Sequence, residues 1–177
     1  RLDSTAVPQD GRTSVLSPAD YWGMLGSQTA LYINGANRDA YRDGALGMIG
    51  GVDTYMTQNV PTHTTGSDLG GTVGASITSA TTTYTSVKAT NQQTITTSSI
   101  NLNVGDVFTI GTAGSSGVYD VNPVTKATLP HLKQFTVVSY DSNTLVFSPA
   151  IVWTGAFKTA AVVGVTDLNT LAITAVG

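Results

Sequence analysis

The sequence predicts a β-rich protein with two regions, a short α+β region over residues 1–62 and an all-β domain over residues 63–177. Three observations support this prediction. About 44 of the 177 residues are serine or threonine, and threonine is a β-branched residue that favours strands. Charged residues make up only 11% of the chain, against about 25% in a typical soluble domain. All four arginines and all three methionines precede Pro61, whereas the hydroxyl-rich stretches follow it.

The first region carries one clear helix signal. Ser17, Pro18 and Asp20 provide a capping hydroxyl, a proline at the first helical position and an acid at the third. This pattern predicts a short helix over residues 17–31, and a second turn or short helix is predicted over residues 37–44. Glycines then punctuate an apolar run, and residues 52–57 are predicted to form a strand that residues 59–61 close.

The second region reads as short strands separated by turns. Residues 64–74 are predicted to be a flexible linker because they are rich in Gly, Ser and Thr. Residues 111–117 are predicted to be a loop. Residues 118–133 are predicted to be a long irregular segment, because their apolar residues follow no regular period. Strands are predicted at residues 100–104, 107–110, 134–140, 144–147, 160–165 and 171–176, with a hairpin turn at residues 141–143. Five or six such strands indicate a small antiparallel barrel or sandwich.

The composition excludes several classes of function. Eight Lys and Arg residues and a net charge of −3 lack the positive charge that phosphate-backbone binding requires, so specific nucleic-acid binding is not expected. The absence of cysteine rules out disulfides and thiolate metal sites. No apolar run reaches the roughly 18 residues that span a bilayer, so the sequence predicts no membrane partner.

The sequence contains no recognisable set of catalytic or metal-binding residues, so it predicts no enzyme, no cofactor and no metal site. His63 and His131 lie in distant parts of the chain, and no G-x-S-x-G elbow marks a nucleophilic serine. Enzymatic function would require one of these histidines to lie beside a buried carboxylate in a cleft. Four aspartates are interpreted as turn formers: Asp106, Asp120, Asp141 and Asp167. Trp22 and Trp153 are predicted to be buried in a core or an interface, because their neighbours are apolar.

Five segments in series carry a resemblance to a known family. Residues 40–61, with the motif residues Gly47, Gly50, Gly51, Asp53 and Pro61, resemble a core segment of tailed-phage major capsid proteins with the Hong Kong ninety-seven phage capsid fold. Residues 102–110, 117–126, 132–138 and 147–151 resemble the inserted domain of podovirus-type coat proteins, in matching order and spacing. The similarity covers roughly residues 40–177.

The resemblance implies a structural function. It implies a fragment of capsid core followed by a small antiparallel barrel of five or six strands, inserted into a longer coat protein of which this chain is a fragment. Many copies would self-assemble in the host cytoplasm into the icosahedral shell of a tailed bacteriophage, so the protein would be part of the virion. The inserted domain would help each subunit to fold and to contact its neighbours. Scaffolding and portal proteins remain open as further partners.

The resemblance also indicates where subunits would meet. The family uses a charged loop of the inserted domain for such contacts, and the matching residues 81–99 hold a single charge, Lys88. We expect residues 118–133, with Lys126, His131 and Lys133, to form the loop nearest to other subunits, and Lys88 is the fourth candidate contact residue. The motif glycines would either allow the backbones of neighbouring subunits to approach closely or form ordinary turns. The rival hypothesis is a Thr-rich adhesin or receptor-binding module, which would be a monomer with an exposed aromatic patch.

Overall fold

The described part of the chain falls into two units. The computed structural model describes residues 2–28, 46–66, 70–72, 87–97, 100–166, 168 and 171–176. One unit comprises Val7–Thr62, and the other comprises Arg1–Ala6 together with His63–Gly177. We call the second the insertion unit.

The first unit contains one helix and a three-stranded sheet in its described residues. The strands have the order β1-β3-β2, with β1 parallel and β2 antiparallel to β3. The predicted strand over residues 52–57 is confirmed with an end one residue earlier. The element bounds are β1 Thr13–Leu16, α1 Pro18–Gln28, β2 Met48–Ile49 and β3 Val52–Met56.

The capping residues predicted from the sequence begin helix α1. The hydroxyl of Ser17 accepts a hydrogen bond from the backbone N–H of Asp20 at 3.2 Å and donates one to the Asp20 carboxylate at 2.6 Å. These bonds satisfy one of the free N–H groups of the first turn. The predicted helical start is thereby confirmed. Residues 29–31 and the predicted turn over residues 37–44 lie outside the described residues.

The helix covers one side of the sheet with a narrow apolar stripe. Tyr21 and Leu25 are buried with Leu46, and the Tyr21 hydroxyl accepts a hydrogen bond from the Leu46 N–H at 2.9 Å. Residues four apart share a helical face, whereas Trp22 lies off this stripe and is 54% exposed. The predicted burial of Trp22 in a core is therefore wrong. Trp153 is buried in the core of the insertion unit, as predicted.

The insertion unit contains nine described strands in two antiparallel sheets. A six-stranded sheet has the order β4-β12-β6-β9-β10-β5, and a three-stranded sheet has the order β11-β7-β8. The element bounds are β4 Gly70–Thr72, β5 Gln93–Thr96, β6 Val107–Ile110, β7 Gly117–Val121, β8 Thr128–Leu132, β9 Gln134–Asp141, β10 Thr144–Ser148, β11 Ala160–Val163 and β12 Ala172–Ala175.

The β-rich domain is confirmed, but the small antiparallel barrel of five or six strands does not close in the described residues. The six-stranded sheet is open, with β4 and β5 at its edges, and three further strands form a sheet of their own. A barrel requires its first and last strands to pair, and no such pairing occurs between these edges. The largest apolar core nevertheless draws residues from both sheets.

Two stretches predicted as irregular are ordered by pairing. Residues 70–72, within the predicted linker, form β4 and pair with β12. Residues 118–133, predicted to be a long irregular segment, contain the paired strands β7 and β8. Strand β7 shows no alternating pattern because Val118, Tyr119 and Val121 are all buried. Strand β8 contains Pro130, which an edge strand tolerates because it needs no outward hydrogen bond.

Other predicted strands are confirmed, with one exception. The hairpin of β9 and β10 turns at Ser142 and Asn143, whose φ angles of 47° and 70° match the left-handed backbone of a tight hairpin turn. Strands β6, β11 and β12 also lie where the sequence predicts them. Residues 100–104 do not form a named strand, although Ile100 and Leu102 are buried as their alternation predicts.

Three phenylalanines from adjacent strands form the centre of the larger core. Phe108 on β6, Phe135 on β9 and Phe147 on β10 are fully buried. Their ring centroids lie 5.1–5.7 Å apart, and two of the three pairs are edge-to-face. Such contacts add to the free energy gained from burying the rings. The centre of the insertion unit is therefore a closely packed aromatic cluster.

Candidate functional site

A fully buried aspartate holds two separate segments of the insertion unit together. Asp106 directly precedes β6, and its side chain is 0% exposed. One carboxylate oxygen accepts hydrogen bonds from the backbone N–H of Asn103 at 2.8 Å and of Gly66 at 3.1 Å. The other oxygen lies 2.7 Å from Nε2 of His63. A carboxylate at the end of a turn thus binds a segment some forty residues earlier in the chain.

That earlier segment, residues 63–66, is called the strap here. A second hydrogen bond also holds the strap. The side-chain amide of Asn103 donates it to the carbonyl oxygen of Thr64 at 2.9 Å. The strap also approaches the neighbouring backbone very closely, since a Cβ added at Gly66 would lie 1.9 Å from the carbonyl oxygen of Asn101. Only glycine fits at this position. The sequence analysis placed residues 64–66 in a flexible linker, and these contacts contradict it.

The environment of Asp106 favours its charged form. Burial on its own raises the pKa of Asp106, but the hydrogen bonds from His63, Asn103 and Gly66 and the charge of His63 together lower it below the ordinary value of 3.8. Hydrogen bonds to a carboxylate stabilise the ionised state. Asp106 is therefore a buried anion, and the sequence analysis missed this role by interpreting it as a turn former. Its position directly after a turn glycine offered no signal of burial.

The pairing of His63 with Asp106 joins two segments of the described chain. His63 meets the first condition for an enzyme, a histidine beside a buried carboxylate, and both oxygens of Asp106 accept hydrogen bonds from the protein. A cavity of about 320 Å³ lies elsewhere, beside β11, and its lining includes Trp153 and Lys158 but neither histidine. Within the described residues, no group of three His, Cys, Asp or Glu side chains could hold a metal ion. The arrangement around Asp106 holds the chain together.

A second ionic cluster lies within the three-stranded sheet. Lys133 donates a hydrogen bond to the Asp120 carboxylate at 3.1 Å and another to the carbonyl oxygen of Thr159 at 2.9 Å. Nε2 of His131 lies 3.8 Å from the second oxygen of Asp120. The side chains of Lys133 and Asp120 are only 13% and 16% exposed. Asp120 belongs to strand β7, so its interpretation as a turn former is wrong.

The four residues predicted to contact other subunits lie in different environments. Lys88 is exposed. The ammonium group of Lys126 folds back to the carbonyl oxygen of Lys158 at 3.3 Å, and Lys133 and His131 face Asp120. Three of these four side chains therefore have partners within their own chain.

The tip of the β7–β8 hairpin, residues 122–127, is rigid and presents an apolar side chain. The Asn122 side chain accepts hydrogen bonds from the N–H groups of Val124 and Thr125 at 2.9 and 3.0 Å. The backbone of Asn122 also bonds to Lys126 and Ala127. Val124 is 78% exposed, the largest value among the exposed large hydrophobic residues that the structure describes. An ordered tip of this kind loses little conformational entropy on binding.

The residues of the capsid-core motif lie on and around the β2–β3 hairpin. Gly50 and Gly51 form its turn with φ angles of 58° and 79°, and Gly47 precedes it with a φ of 62°. No atom lies within 4 Å of a Cβ added at any of the three, so the turn geometry accounts for these glycines within the chain. Asp53 lies in β3 opposite Thr13 and Met48, and Pro61 lies in an exposed stretch.

Removing the charge of Lys133 should destabilise the insertion unit. We expect Lys133→Met to lower the free energy of unfolding by about 1–3 kcal/mol, because it removes the charged donor that the Asp120 carboxylate and the Thr159 carbonyl oxygen share. Lys88→Met, at an exposed lysine, should change it by less than about 0.5 kcal/mol. Urea unfolding of the two variants measures the difference. Equal effects would show that Lys133 has no structural role.

Comparison with known proteins identifies the class to which this arrangement belongs. A family model described as "P22 coat protein - gene protein 5" matches residues 1–172. Among solved structures, the CUS-3 coat protein I-domain is 29% identical, with a TM-score of 0.42 over 62% of this chain and 96% of that chain. A search of curated proteins gives no match.

The chain is a bacteriophage coat protein. More specifically, it belongs to the P22 coat protein family. This family is structural and non-enzymatic, and membership gives the chain a structural role in the phage capsid rather than the binding role of the adhesin hypothesis. No helix in the described part of the chain is long and apolar enough to cross a bilayer.

Proposed function

We propose that this chain self-assembles, in many copies, into the icosahedral shell of a tailed bacteriophage inside the host cytoplasm. The observation that carries the proposal is the family match over residues 1–172. The low charge of the chain, with a net value of −3, supports it because closely packed copies then repel each other weakly. We further propose that residues 1–62 belong to the capsid core and residues 63–177 to the inserted domain. The two structural units support a boundary between residues 62 and 63, whereas residues 1–6 group with the second region.

We propose that the insertion unit helps the subunit to fold. Its aromatic cluster joins three adjacent strands, and the Asp106 carboxylate joins two segments that are distant in sequence. Both features stabilise a fold that is rich in non-local strand pairing. A stable inserted domain also fixes the positions of the two ends through which it connects to the rest of a coat protein.

We also propose that the hairpin tip contacts neighbouring subunits. The sequence analysis assigned this contact to the lysines and histidine of residues 118–133, but those side chains bond within the chain. Val124 and Pro123 remain exposed on the rigid tip. An exposed apolar side chain on an ordered turn gains free energy from burial without a large entropic cost. The contact is therefore assigned to Val124 rather than to ion pairs.

Particle size tests the assembly proposal directly. The product of the intact reading frame would be expressed alone and together with scaffolding and portal proteins, and the size of the resulting particles would be measured by light scattering and negative-stain microscopy. We expect closed shells or large open polymers. A persistent monomer or small oligomer in every combination would contradict self-assembly, and shells formed without the added proteins would show that these partners are dispensable.

The hairpin tip is tested by a charge at its apolar residue. We expect Val124→Asp to fold normally and to reduce the yield of particles at least ~10-fold. The reason is that each contact of the tip would then bury an unpaired carboxylate, and the cost would recur at every interface of the shell. The measurement is the fraction of protein that sediments as particles, with circular dichroism and thermal unfolding as the test of folding.

A matched control is available at a second exposed valine. Val104 is 64% exposed and also lies in a turn, so Val104→Asp adds the same charge elsewhere on the insertion unit. We expect this variant to assemble like the unmodified chain. Normal assembly of Val124→Asp would contradict the contact, and an equal loss in both variants would assign the effect to net charge rather than to the tip.

A further inference from the structure

Within the described residues, the strap is bound by the turn at residues 103–106. His63 and Gly66 bind the Asp106 carboxylate, and Thr64 accepts a hydrogen bond from the Asn103 side chain. The ring of His63 also lies against the turn, because its Cε1 atom would be 3.2 Å from a Cβ added at Gly105. These contacts of the strap thus converge on the Asp106 carboxylate and the Asn103 side-chain amide.

The turn itself is held to the sheet by different bonds. The N–H of Gly105 donates to the carbonyl oxygen of Val137, and the N–H of Val137 donates to the backbone carbonyl oxygen of Asp106, both at 2.9 Å. Neither bond uses the carboxylate. Loss of the carboxylate would therefore free the strap and leave the backbone pairing between the turn and β9 in place.

We propose that the strap is a detachable segment, which the Asp106 carboxylate and the glycine at position 66 hold in place and which can leave the insertion unit while both sheets stay folded. Cooperative units of this size open separately when their bonds are independent of the rest of the structure. Release would add four residues, roughly 13 Å at full extension, to the exposed stretch at residues 58–62. The strap thereby sets the length of the tether at the N-terminal side of the insertion unit.

This proposal does not depend on shell assembly, because it concerns bonds within one chain. Among the groups that lower the pKa of Asp106, His63 is the titratable side chain, and it acts through a hydrogen bond and through its charge. Nothing in the proposal requires a ligand or a second copy of the chain.

Two variants release the strap by independent routes. Asp106→Asn removes the negative charge and leaves a neutral amide oxygen as the acceptor for the N–H groups of Asn103 and Gly66. Gly66→Ala leaves the carboxylate intact but places a methyl group against the backbone of Asn101. Asp141→Asn serves as the control, since Asp141 is an exposed aspartate at the β9–β10 turn.

Amide hydrogen exchange of the full chain, read by mass spectrometry, tests the proposal. We expect peptides covering residues 63–66 to exchange at least ~10-fold faster in Asp106→Asn and in Gly66→Ala than in the unmodified chain. Peptides covering β9 should change by less than about twofold, and Asp141→Asn should change neither region. Unchanged exchange of the strap in both variants would overturn the proposal. Equal acceleration in the strap and in β9 would also overturn it, because the strap would then open only with the whole unit.

Discussion

Phe135→Ala is expected to lower the free energy of unfolding of the insertion unit by about 3–5 kcal/mol, the usual cost of deleting a fully buried aromatic ring. Phe135 is 0% exposed and contacts two other buried rings, with centroid distances of 5.1 Å to Phe147 and 5.7 Å to Phe108. The variant loses burial, leaves a cavity and removes two aromatic contacts together. Urea unfolding, followed by fluorescence of the buried Trp153 in a Trp22→Phe background, measures the change in this unit.

The neighbouring residue gives the matched control for this prediction. Thr136 lies next to Phe135 on the same strand and is exposed, so Thr136→Ala should change the free energy of unfolding by no more than about 1 kcal/mol, the span of strand propensities. A loss of similar size in both variants would mean that strand propensity, rather than the aromatic cluster, determines stability here.

Asp106→Asn is expected to produce the second large effect, and one that depends on pH. At neutral pH the variant should lose about 2–4 kcal/mol, because the buried N–H groups of Gly66 and Asn103 no longer share a charged acceptor. The pKa of Asp106 is lower in the folded state than its ordinary value of 3.8, so the unfolded chain binds a proton first as the pH falls. The stabilisation by Asp106 is therefore complete above about pH 5 and is lost as the pH falls through the folded pKa, below 3.8.

The measurement is the free energy of unfolding of both proteins between pH 7 and pH 3. We expect the difference between the unmodified chain and Asp106→Asn to shrink as the pH falls through this window. His63 is the titratable group whose hydrogen bond and charge act on the carboxylate, so His63→Gln should weaken the pH dependence in the same window. A difference that stays constant with pH would contradict the role of the Asp106 charge.

Much of the local structure is determined by residues that are close in sequence. Ser17 and Asp20 fix the start of α1 through bonds that span three residues. Ser142 and Asn143 fix the turn between β9 and β10 through their own backbone conformations. Strands with clear apolar patterns, such as β6 and β10, could be predicted because their pattern matches the burial.

The class of protein could also be predicted from the sequence, because short motifs in a fixed order identify a family even when each is weak. The coat-protein resemblance over residues 40–177 agrees with the family match over residues 1–172. Contact residues were harder to predict. Lys126 and Lys133 have the composition of surface residues, yet their ammonium groups reach carbonyl oxygens more than twenty residues away.

The sequence by itself determined the β-rich class, the helix start, the main hairpin and the family, since each depends on local preference or on motif order. Only the tertiary structure decided that residues 118–133 form a hairpin, that the larger sheet stays open and that Asp106 is a buried anion. These features depend on groups that meet across the fold, as Gly66 meets Asp106 at a separation of 40 residues. A pairing of this kind leaves no local pattern, because each residue is compatible with an ordinary turn or linker until its partner is known.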